Sequence, residues 1–131
     1  MPFKFDLISP ERILISEDVE QVVVPGAEGD FAVLPGHAPL VSTLRPGVLE
    51  VTGDSGRQRL LVKGGFAEVE QNHLTVLVER TYDIAQMERG EIARELEAAV
   101  AALDAARDDA ARLRAYTLVE QLKALQSQAA H

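Results

Sequence analysis

The stretch from Gly26 to Val51 reads G-A-E-G-D-F-A-V-L-P-G-H-A-P-L-V-S-T-L-R-P-G-V-L-E-V, and the spacing of its turn-forming residues decides the fold. With the preceding proline it contains three Pro-Gly pairs, ten and eleven residues apart, at Pro25-Gly26, Pro35-Gly36 and Pro46-Gly47. Proline fixes φ for the first corner of a tight turn, and glycine accepts the positive φ that follows. Because apolar runs of strand length separate the pairs, we predict tight turns at the pairs and short strands of an all-β sandwich or barrel between them.

Residues 1–83 have the pattern of strands throughout, and we predict that they form a β-sandwich domain. The run Val22-Val23-Val24 is apolar at every position, which is typical of a strand covered on both faces. Polar loops at Gly53-Asp54-Ser55-Gly56 and Gln71-Asn72-His73 are predicted to close two hairpins. The predicted strands are Phe3–Ile8, Ile13–Ser16, Val19–Val24, Phe31–Leu34, Leu40–Leu44, Val48–Thr52, Gln58–Val62, Phe66–Glu70 and Leu74–Glu79.

Residues 84–131 have a different composition, which predicts helices. All 6 prolines lie at or before Pro46, and from Glu91 onward there is neither proline nor glycine, whereas alanine occurs thirteen times. Alanine is the strongest helix former, while proline and glycine interrupt helices. The chain therefore divides into a β-sandwich domain, residues 1–83, and a C-terminal two-helix antiparallel hairpin, residues 84–131.

Two apolar stripes that are out of phase indicate two helices. Leu113 lies ten residues after Leu103, about 80° out of register at 100° per residue. Asp108 and Asp109 stand at the break and are candidates for the N-cap of the second helix. A single long helix is the alternative, because the break contains no glycine or proline. The first stripe comprises Ile92, Leu96, Ala99, Val100 and Leu103, and the second Leu113, Tyr116 or Thr117, Val119 or Glu120, Leu122 and Leu125.

The composition excludes several classes of function. The formal net charge is −8 and aromatic residues make up 5%, so we expect no binding to a nucleic-acid backbone and no stacking on bases. There is no cysteine, which excludes disulfides, thiolate metal sites and cysteine nucleophiles. No segment approaches the eighteen or so apolar residues of a transmembrane helix, and we expect a protein that is soluble or peripheral to a membrane.

The sequence contains no convincing catalytic or ligand-binding motif. The G-D-S-G segment at Gly53–Gly56 matches the surroundings of a serine-protease nucleophile, but a polar hairpin tip explains it. The histidines His37, His73 and His131 lack the paired spacing of zinc motifs. No phosphate-binding G-x-x-x-x-G-K-[ST] motif occurs. The residues by themselves indicate a non-enzymatic interaction module with no cofactor and no bound metal.

His37 is the polar side chain that the sequence displays most rigidly. It lies between Pro35-Gly36 and Ala38-Pro39, and two prolines stiffen that loop. An imidazole ring that is satisfied by the local backbone and one that contacts a partner protein fit this pattern equally well.

Several longer segments resemble the epsilon subunit of bacterial F-type ATP synthases, the rotary, proton-translocating enzymes. The resemblance covers the whole chain and is most specific in V-P-G-A-E-G-D-F-A-V-L-P-G-H-A-P-L, Val24–Leu40. It includes F-D-L-I-S-P-E-R, L-R-P-G-V-L, G-G-F-A-E-V and L-T-V-L-V-E, which begin at Phe5, Leu44, Gly64 and Leu74. The fold of that family, a flattened ten-stranded sandwich followed by a helical hairpin, agrees with the two-part pattern of this chain.

The resemblance implies a mechanical, non-catalytic role in the central stalk, the rotor of the synthase. The sandwich would bind the gamma subunit and rest on the polar loops of the membrane c-ring, helping to couple proton translocation to ATP synthesis. Carried over by position, Glu28, Gly29 and Asp30 would face the c-ring loops, and His37 would lie close to gamma and the ring. The chain would be a peripheral protein on the cytoplasmic face of the bacterial inner membrane.

The chain departs from two patterns found in parts of this family. Members that bind ATP carry an I-D-x-x-R-A motif, but Ile84–Gly90 has no aspartate after the isoleucine and its arginine is one place late, so we expect no tight ATP site. In other members the C-terminal helices regulate ATP hydrolysis by contacting the acidic surface of the beta subunit, which favours a basic last helix. Here residues 108–131 have three acidic and three basic side chains with His131 neutral, so contact with beta is weakly supported.

Two other classes of function are the alternatives. One is a stand-alone adaptor with a coiled-coil tail, which co-purification with gamma would distinguish from a rotor subunit. The other is a small hydrolase that uses Ser55, His37 and an aspartate.

Overall fold

The computed structural model describes residues 2–54 and 56–129, and for residues 128 and 129 it describes the backbone alone. In this part of the chain ten strands precede two helices, α1 (Arg89–Ala105) and α2 (Asp109–Ala129), with a single 3-10 turn at Ile84–Gln86 before α1. The strands are β1 (Phe3–Ile8), β2 (Ile13–Val19), β3 (Gln21–Gly26), β4 (Gly29–Val33), β5 (Leu40–Leu44), β6 (Gly47–Gly53), β7 (Gly56–Val62), β8 (Gly65–Glu70), β9 (His73–Leu77) and β10 (Thr81–Asp83).

The strands form one curled sheet that closes into a β-sandwich. The strand order is β10-β7-β6-β3-β5-β8-β9-β1-β2, and β4 pairs with β3 beside this path. Neighbouring strands are antiparallel, except that β1 and β9 run parallel. The predicted fold, a β-sandwich followed by two helices, is confirmed.

The core of the sandwich arises from the alternation of apolar and polar residues along the strands. In β1, for example, Phe3, Phe5 and Leu7 are buried, while Lys4 between them is exposed. Removing each large apolar side chain from water contributes about 1.5–3 kcal/mol to folding. The most deeply buried residues of this core are Phe5, Leu7, Val22, Val24, Leu49, Val62, Leu74 and Val76.

The observed strands differ from the predicted ones in three places. Val19 ends β2, where it pairs with Phe3, and does not open the next strand. The short strand β10 was not predicted, because its sequence Thr-Tyr-Asp has no apolar alternation; its backbone pairs with Leu60–Val62 of β7. In β3, Val22 and Val24 are buried but Val23 is only half-buried, so this strand is not fully covered on both faces.

Only Pro35-Gly36, of the three Pro-Gly pairs, forms the predicted turn. Pro25-Gly26 ends β3, and Pro46-Gly47 leads into β6. At both places close packing explains the glycine: a Cβ on Gly26 would lie 2.7 Å from a backbone oxygen, and one on Gly47 would lie 3.0 Å from the Cβ of Pro25. Their glycines therefore serve packing, with no positive φ.

The two predicted hairpin loops are confirmed. Gly53 pairs with Gly56 across the turn between β6 and β7, although Ser55 of that loop lies outside the described residues. Glu70 pairs with His73 across the turn between β8 and β9, in which Asn72 has a φ of 53°. His73 accordingly opens β9.

The backbone forms two compact units, one that ends at Ala85 and one that begins at Gln86. In the second unit α1 and α2 pack against each other and are joined by three residues, which makes them an antiparallel hairpin. The single-helix alternative is wrong because Ala106 leaves the helical conformation, with a ψ of 131°. Asp108 is the N-cap of α2: its Oδ1 accepts a hydrogen bond of 2.7 Å from the backbone N–H of Ala111.

The buried face of α2 also differs from the predicted stripe. Leu122 is fully buried and Val119 and Leu125 are nearly so, but Leu113 is 65% exposed. At 100° per residue Leu113 lies on the side of the helix opposite Leu122. Alanine, at position 111 and at position 115, takes the place of a large apolar residue on the buried side.

Two glycines at the start of β8 differ in the space available for a Cβ atom, so alanine substitutions at the two positions form a matched test. Gly64 and Gly65 have φ values of 137° and 138°, but only at Gly65 would a Cβ collide with the backbone, 2.1 Å from the carbonyl oxygen of Leu77. We expect Gly64→Ala to cost about 1–3 kcal/mol of unfolding free energy through backbone strain. Gly65→Ala should cost roughly 1–3 kcal/mol more, because β8 and β9 must separate. Urea unfolding of both variants measures the difference, and equal midpoints would contradict the steric assignment.

Asp6 on β1 yields a test of stability against pH. Its Oδ2 lies 2.8 Å from Nε2 of His73 on β9, and Ser16 lies opposite it on β2. The Ser16 hydroxyl, followed by the hydrogen bond and charge of His73, holds the pKa of Asp6 below its ordinary value of 3.8, although burial raises it. A carboxyl whose pKa is lower in the native state stabilises the fold above its ordinary pKa and ceases to do so as the pH falls through its native pKa.

We therefore expect Asp6→Asn to lower the unfolding free energy by roughly 1 kcal/mol at pH 7 and by nothing measurable at the acid end of the titration. The control is Asp18→Asn, which removes an exposed carboxylate of β2 and leaves the Asp6–His73 pair intact. Urea titrations across the acid range measure the effect. A deficit of Asp6→Asn that persists undiminished below its native pKa would refute this role of the carboxylate.

Candidate functional site

The segment that contains Glu28, Gly29 and Asp30 forms the hairpin tip, which we define as residues 26–30, from the last residue of β3 to the second residue of β4. Gly26 pairs with Gly29 across the turn, and Gly29 has a φ of 138°. The side chains of Glu28 and Asp30 are exposed. The tip thus displays two carboxylates, one in its two-residue turn and one at the start of β4.

Arg45, which follows β5, holds the hairpin tip in place. Its Nη1 donates a 2.6 Å hydrogen bond to the carbonyl oxygen of Gly26, and its Nη2 donates to Oδ1 of Asp30 at 2.5 Å. Two backbone hydrogen bonds join the same segments, from Arg45 N–H to the Pro25 oxygen at 3.0 Å and from Ala27 N–H to the Thr43 oxygen at 2.9 Å. The tip is therefore fixed by both main-chain and side-chain contacts.

The loop that carries His37 is also tied down. The backbone N–H of His37 donates to the Leu34 oxygen at 3.1 Å, which closes the turn at Pro35-Gly36, where Gly36 has a φ of 83°. The N–H of Gly36 donates to Oδ1 of Asn72 at 3.3 Å, so the loop is attached to the turn between β8 and β9.

The imidazole ring of His37 is half-buried and satisfied on one side by the local backbone. Its Nδ1 lies 2.7 Å from the carbonyl oxygen of Ala38. A carbonyl oxygen can only accept, so Nδ1 carries a proton, and in the neutral ring Nε2 is then an acceptor. Both possibilities raised by the sequence are thus compatible in one residue: Nδ1 is used locally, and Nε2 has a lone pair for a donor on another molecule.

Phe31 brings the hairpin tip and the His37 loop together. The ring centroids of Phe31 and His37 are 6.4 Å apart with the planes tilted by 40°, within the usual range for aromatic contacts. A Cβ on Gly26 would lie 2.9 Å from the Phe31 ring, so that ring also packs on the base of the tip. The base of the hairpin tip and the His37 loop therefore meet through the Phe31 ring.

Three residues that shape this site were not predicted from the sequence. Arg45 and Asn72 act through contacts between segments that are distant in the chain. Phe31 packs on Gly26 and His37, and no sequence pattern marks that contact. The only available signal was the placement of Arg45 beside the third Pro-Gly pair.

Elsewhere on the sandwich, apolar side chains that are exposed or half-buried form a row across four strands. The register aligns Phe66 of β8, Leu77 of β9, Ile8 of β1 and Ile13 of β2, and of these Phe66 is 54% and Ile13 63% exposed. Paired residues on neighbouring strands point to the same face of a sheet. Exposed apolar patches of this kind mark surfaces that bind proteins.

The described residues offer little for catalysis or for metal binding. Among them, no three His, Cys, Asp or Glu side chains are grouped so that they could hold a metal ion. The Gly53–Gly56 loop lies at the opposite end of β6 from Gly47, where β6 approaches the hairpin tip. Ser55, the nucleophile of the hydrolase alternative, lies outside the described residues. No helix in the described part of the chain has the length and apolar character needed to cross a membrane.

Comparisons with known proteins identify the family. Residues 2–84 match the family model of the ATP synthase delta/epsilon chain, beta-sandwich domain. The chain is 46% identical over 127 residues to the ATP synthase epsilon chain of Maricaulis maris, covering 97% of this chain and 96% of the relative. It is also 46% identical over 122 residues to the epsilon chain of Parvibaculum lavamentivorans, covering 92% of each.

A solved structure gives the same result for the fold. A chain in the cryo-EM structure of the Euglena gracilis mitochondrial ATP synthase, comprising OSCP, F1 and the c-ring, is similar with a TM-score of 0.74 and 25% identity. The similarity covers 97% of this chain and 81% of that one. The sequence match and the shared fold extend over both the sandwich and the helices, and this chain therefore belongs to the family of ATP synthase epsilon chains.

Proposed function

We propose that this chain is a rotor subunit that joins the gamma subunit to the c-ring of a bacterial F-type ATP synthase and helps to couple proton translocation to ATP synthesis. The observation that carries the proposal is the hairpin tip, whose Asp30 carboxylate and Gly26 carbonyl are held by Arg45, beside a stiff loop with His37. A joint that transmits torque needs contact groups whose positions do not yield under load. Family membership and the c-ring in the related Euglena complex support the same role.

The hairpin tip and the His37 loop suit contact with the polar loops of the c-ring. Glu28 and Asp30 supply carboxylates and His37 supplies the Nε2 acceptor, so the surface favours partners that carry cations or N–H donors. Charged groups at the edge of such an interface chiefly fix register and partner choice.

The row of exposed apolar residues suits the gamma subunit. Phe66 and Ile13 would lose their exposure to water in such a contact, and burying apolar area is what drives stable association. One molecule would then present two different surfaces, an apolar one for gamma and a polar one for the ring. As part of such a complex the chain would be peripheral at the cytoplasmic face of the inner membrane.

We also propose that the chain is non-catalytic and binds ATP weakly or not at all. Ile84 lies in the 3-10 turn and Arg89 opens α1, and the aspartate expected after the isoleucine is replaced by Ala85. Micromolar ATP binding in calorimetry would overturn this part of the proposal.

The proposed contact with the c-ring is tested by changing the tip and the loop together. Asp30→Arg combined with His37→Ala should weaken attachment of the chain to the rotor at least roughly tenfold, or about 1.4 kcal/mol, and lower the ratio of ATP-driven proton pumping to hydrolysis in membranes. The control is Asp54→Arg, which makes the same charge change in the exposed turn at the other end of β6. Unchanged assembly and unchanged coupling in the double variant would refute the proposed contact.

Regulation by the C-terminal helices is tested by deleting residues 84–131. Asp108, Asp109 and Glu120 balance Arg112, Arg114 and Lys123, so residues 108–131 offer no net positive charge to an acidic surface of the beta subunit. We therefore expect hydrolysis by the complex to stay close to that of the complete enzyme. A strong rise in hydrolysis on deletion would show instead that these helices inhibit through contacts other than net charge.

A further inference from the structure

We infer that Arg45 is a positioning residue that sets the orientation of the hairpin tip for its contact with the rotor ring. The inference rests on the proposed function, because it assigns to Arg45 a role in that same contact. Arg45 does this without itself meeting the partner, by holding Asp30 and the main chain of the tip at once.

The two nitrogens of the guanidinium bind two different parts of the tip. Nη1 binds the carbonyl oxygen of Gly26, at the base of the turn, and Nη2 binds the carboxylate of Asp30, on its far side. Rotation of the tip about its base would break one of these contacts. A planar guanidinium holds such a pair of acceptors in a fixed relation, which the single ammonium group of lysine does not.

Solvent exposure shows which of the two hydrogen bonds anchors the hairpin tip and which one orients the Asp30 carboxylate. The side chain of Arg45 is 31% exposed and that of Asp30 is 59% exposed. An ion pair this open to water adds little to stability, so its effect is on the direction of the carboxylate. The hydrogen bond to Gly26 is partly buried and charge-assisted, which makes it the stronger anchor.

The backbone fixes the starting point of the Arg45 side chain. The main-chain hydrogen bonds from Arg45 to Pro25 and from Ala27 to Thr43 place the two segments side by side. Arg45 therefore reaches the tip from a strand end that is already attached to it. Because Nη2 takes Oδ1 of Asp30, the other carboxylate oxygen is left to accept a hydrogen bond from an N–H donor or cation of the ring.

The first measurement concerns the free chain. In Arg45→Met, which keeps the apolar stem and removes the guanidinium, amide exchange at Ala27 measured by NMR should accelerate about tenfold, as expected for the loss of one charge-assisted hydrogen bond. Exchange of amides in β1 and β9 should not change. The matched control is Arg57→Met, which removes an exposed ion pair with Glu50, 3.1 Å long, elsewhere on the sheet.

The second measurement uses the complete ATP synthase in membranes. Arg45→Met should lower the ratio of proton pumping to hydrolysis. Asp30→Asn added to it should lower that ratio little further, because without the guanidinium the Asp30 carboxylate is already out of position. Arg57→Met should leave the ratio unchanged. The amount of the chain that assembles into the synthase is measured in the same membranes. This measurement distinguishes a loosened hairpin tip from loss of the whole subunit.

The outcomes distinguish a failure of the role given to Arg45 from a failure of the proposed contact with the c-ring. Faster exchange at Ala27 together with reduced coupling supports the role of Arg45. Unchanged exchange at Ala27 overturns the anchoring role, whatever the coupling. Faster exchange with full coupling overturns the positioning role, and the proposed c-ring contact itself fails only if Asp30→Arg with His37→Ala also leaves coupling intact.

Discussion

The end of β3 is a crowded junction, and the rest of the sandwich depends on how it is packed. Gly26 pairs with Gly29 of β4 and with Leu44 of β5, while residues 21–23 of the same strand pair with β6. The strands β4, β5 and β6 therefore all pair with β3 within its six residues. There is no space for a side chain at Gly26, since a Cβ would lie 2.7 Å from the backbone of the turn. This steric limit lets the sheet curl and places the tip next to Arg45.

Rigidity at this junction links the fold to the function that we propose. The tip is attached through two backbone hydrogen bonds and the guanidinium, and the His37 loop through Asn72 and the Phe31 ring. The tip contains the end of β3 and the start of β4, and the His37 loop is tied to its neighbours, so neither segment is a free loop. Contact groups held in this way lose little conformational freedom on binding, so less of the binding free energy is spent on ordering them.

Much of the fold could be predicted from the sequence because the signals were local. Alternation in β1 and β8, the turn at Pro35-Gly36 and the helix break at Asp108 all depend on residues within a few positions of one another. The errors came from longer-range packing. Pro25-Gly26 has the composition of a turn, but its glycine is explained by the Phe31 ring and the Gly29 backbone. Leu113 is large and apolar, yet small alanines occupy the buried side of α2 instead.

The candidate site was predictable only in part, for the same physical reason. The family motif indicated Glu28, Gly29, Asp30 and His37, and the structure places the first three in one hairpin, whose Phe31 contacts the ring of His37. Arg45 lies 15 residues from Asp30 in the sequence, and its contact depends on the pairing of Gly26 with Leu44. A single sequence contains no pattern that predicts the pairing of Gly26 with Leu44.

The central claim is that two stiff, neighbouring segments of the sandwich are the surface that meets the rotor ring. Comparing amide hydrogen exchange of the free chain with that of the chain reconstituted with gamma and the c-ring tests this claim most directly. Protection is expected at residues 27–31 and 36–38, with a second protected region around Phe66 and Ile13, where we propose that gamma binds. Stable incorporation of the chain with no added protection at residues 27–31 and 36–38 would contradict it.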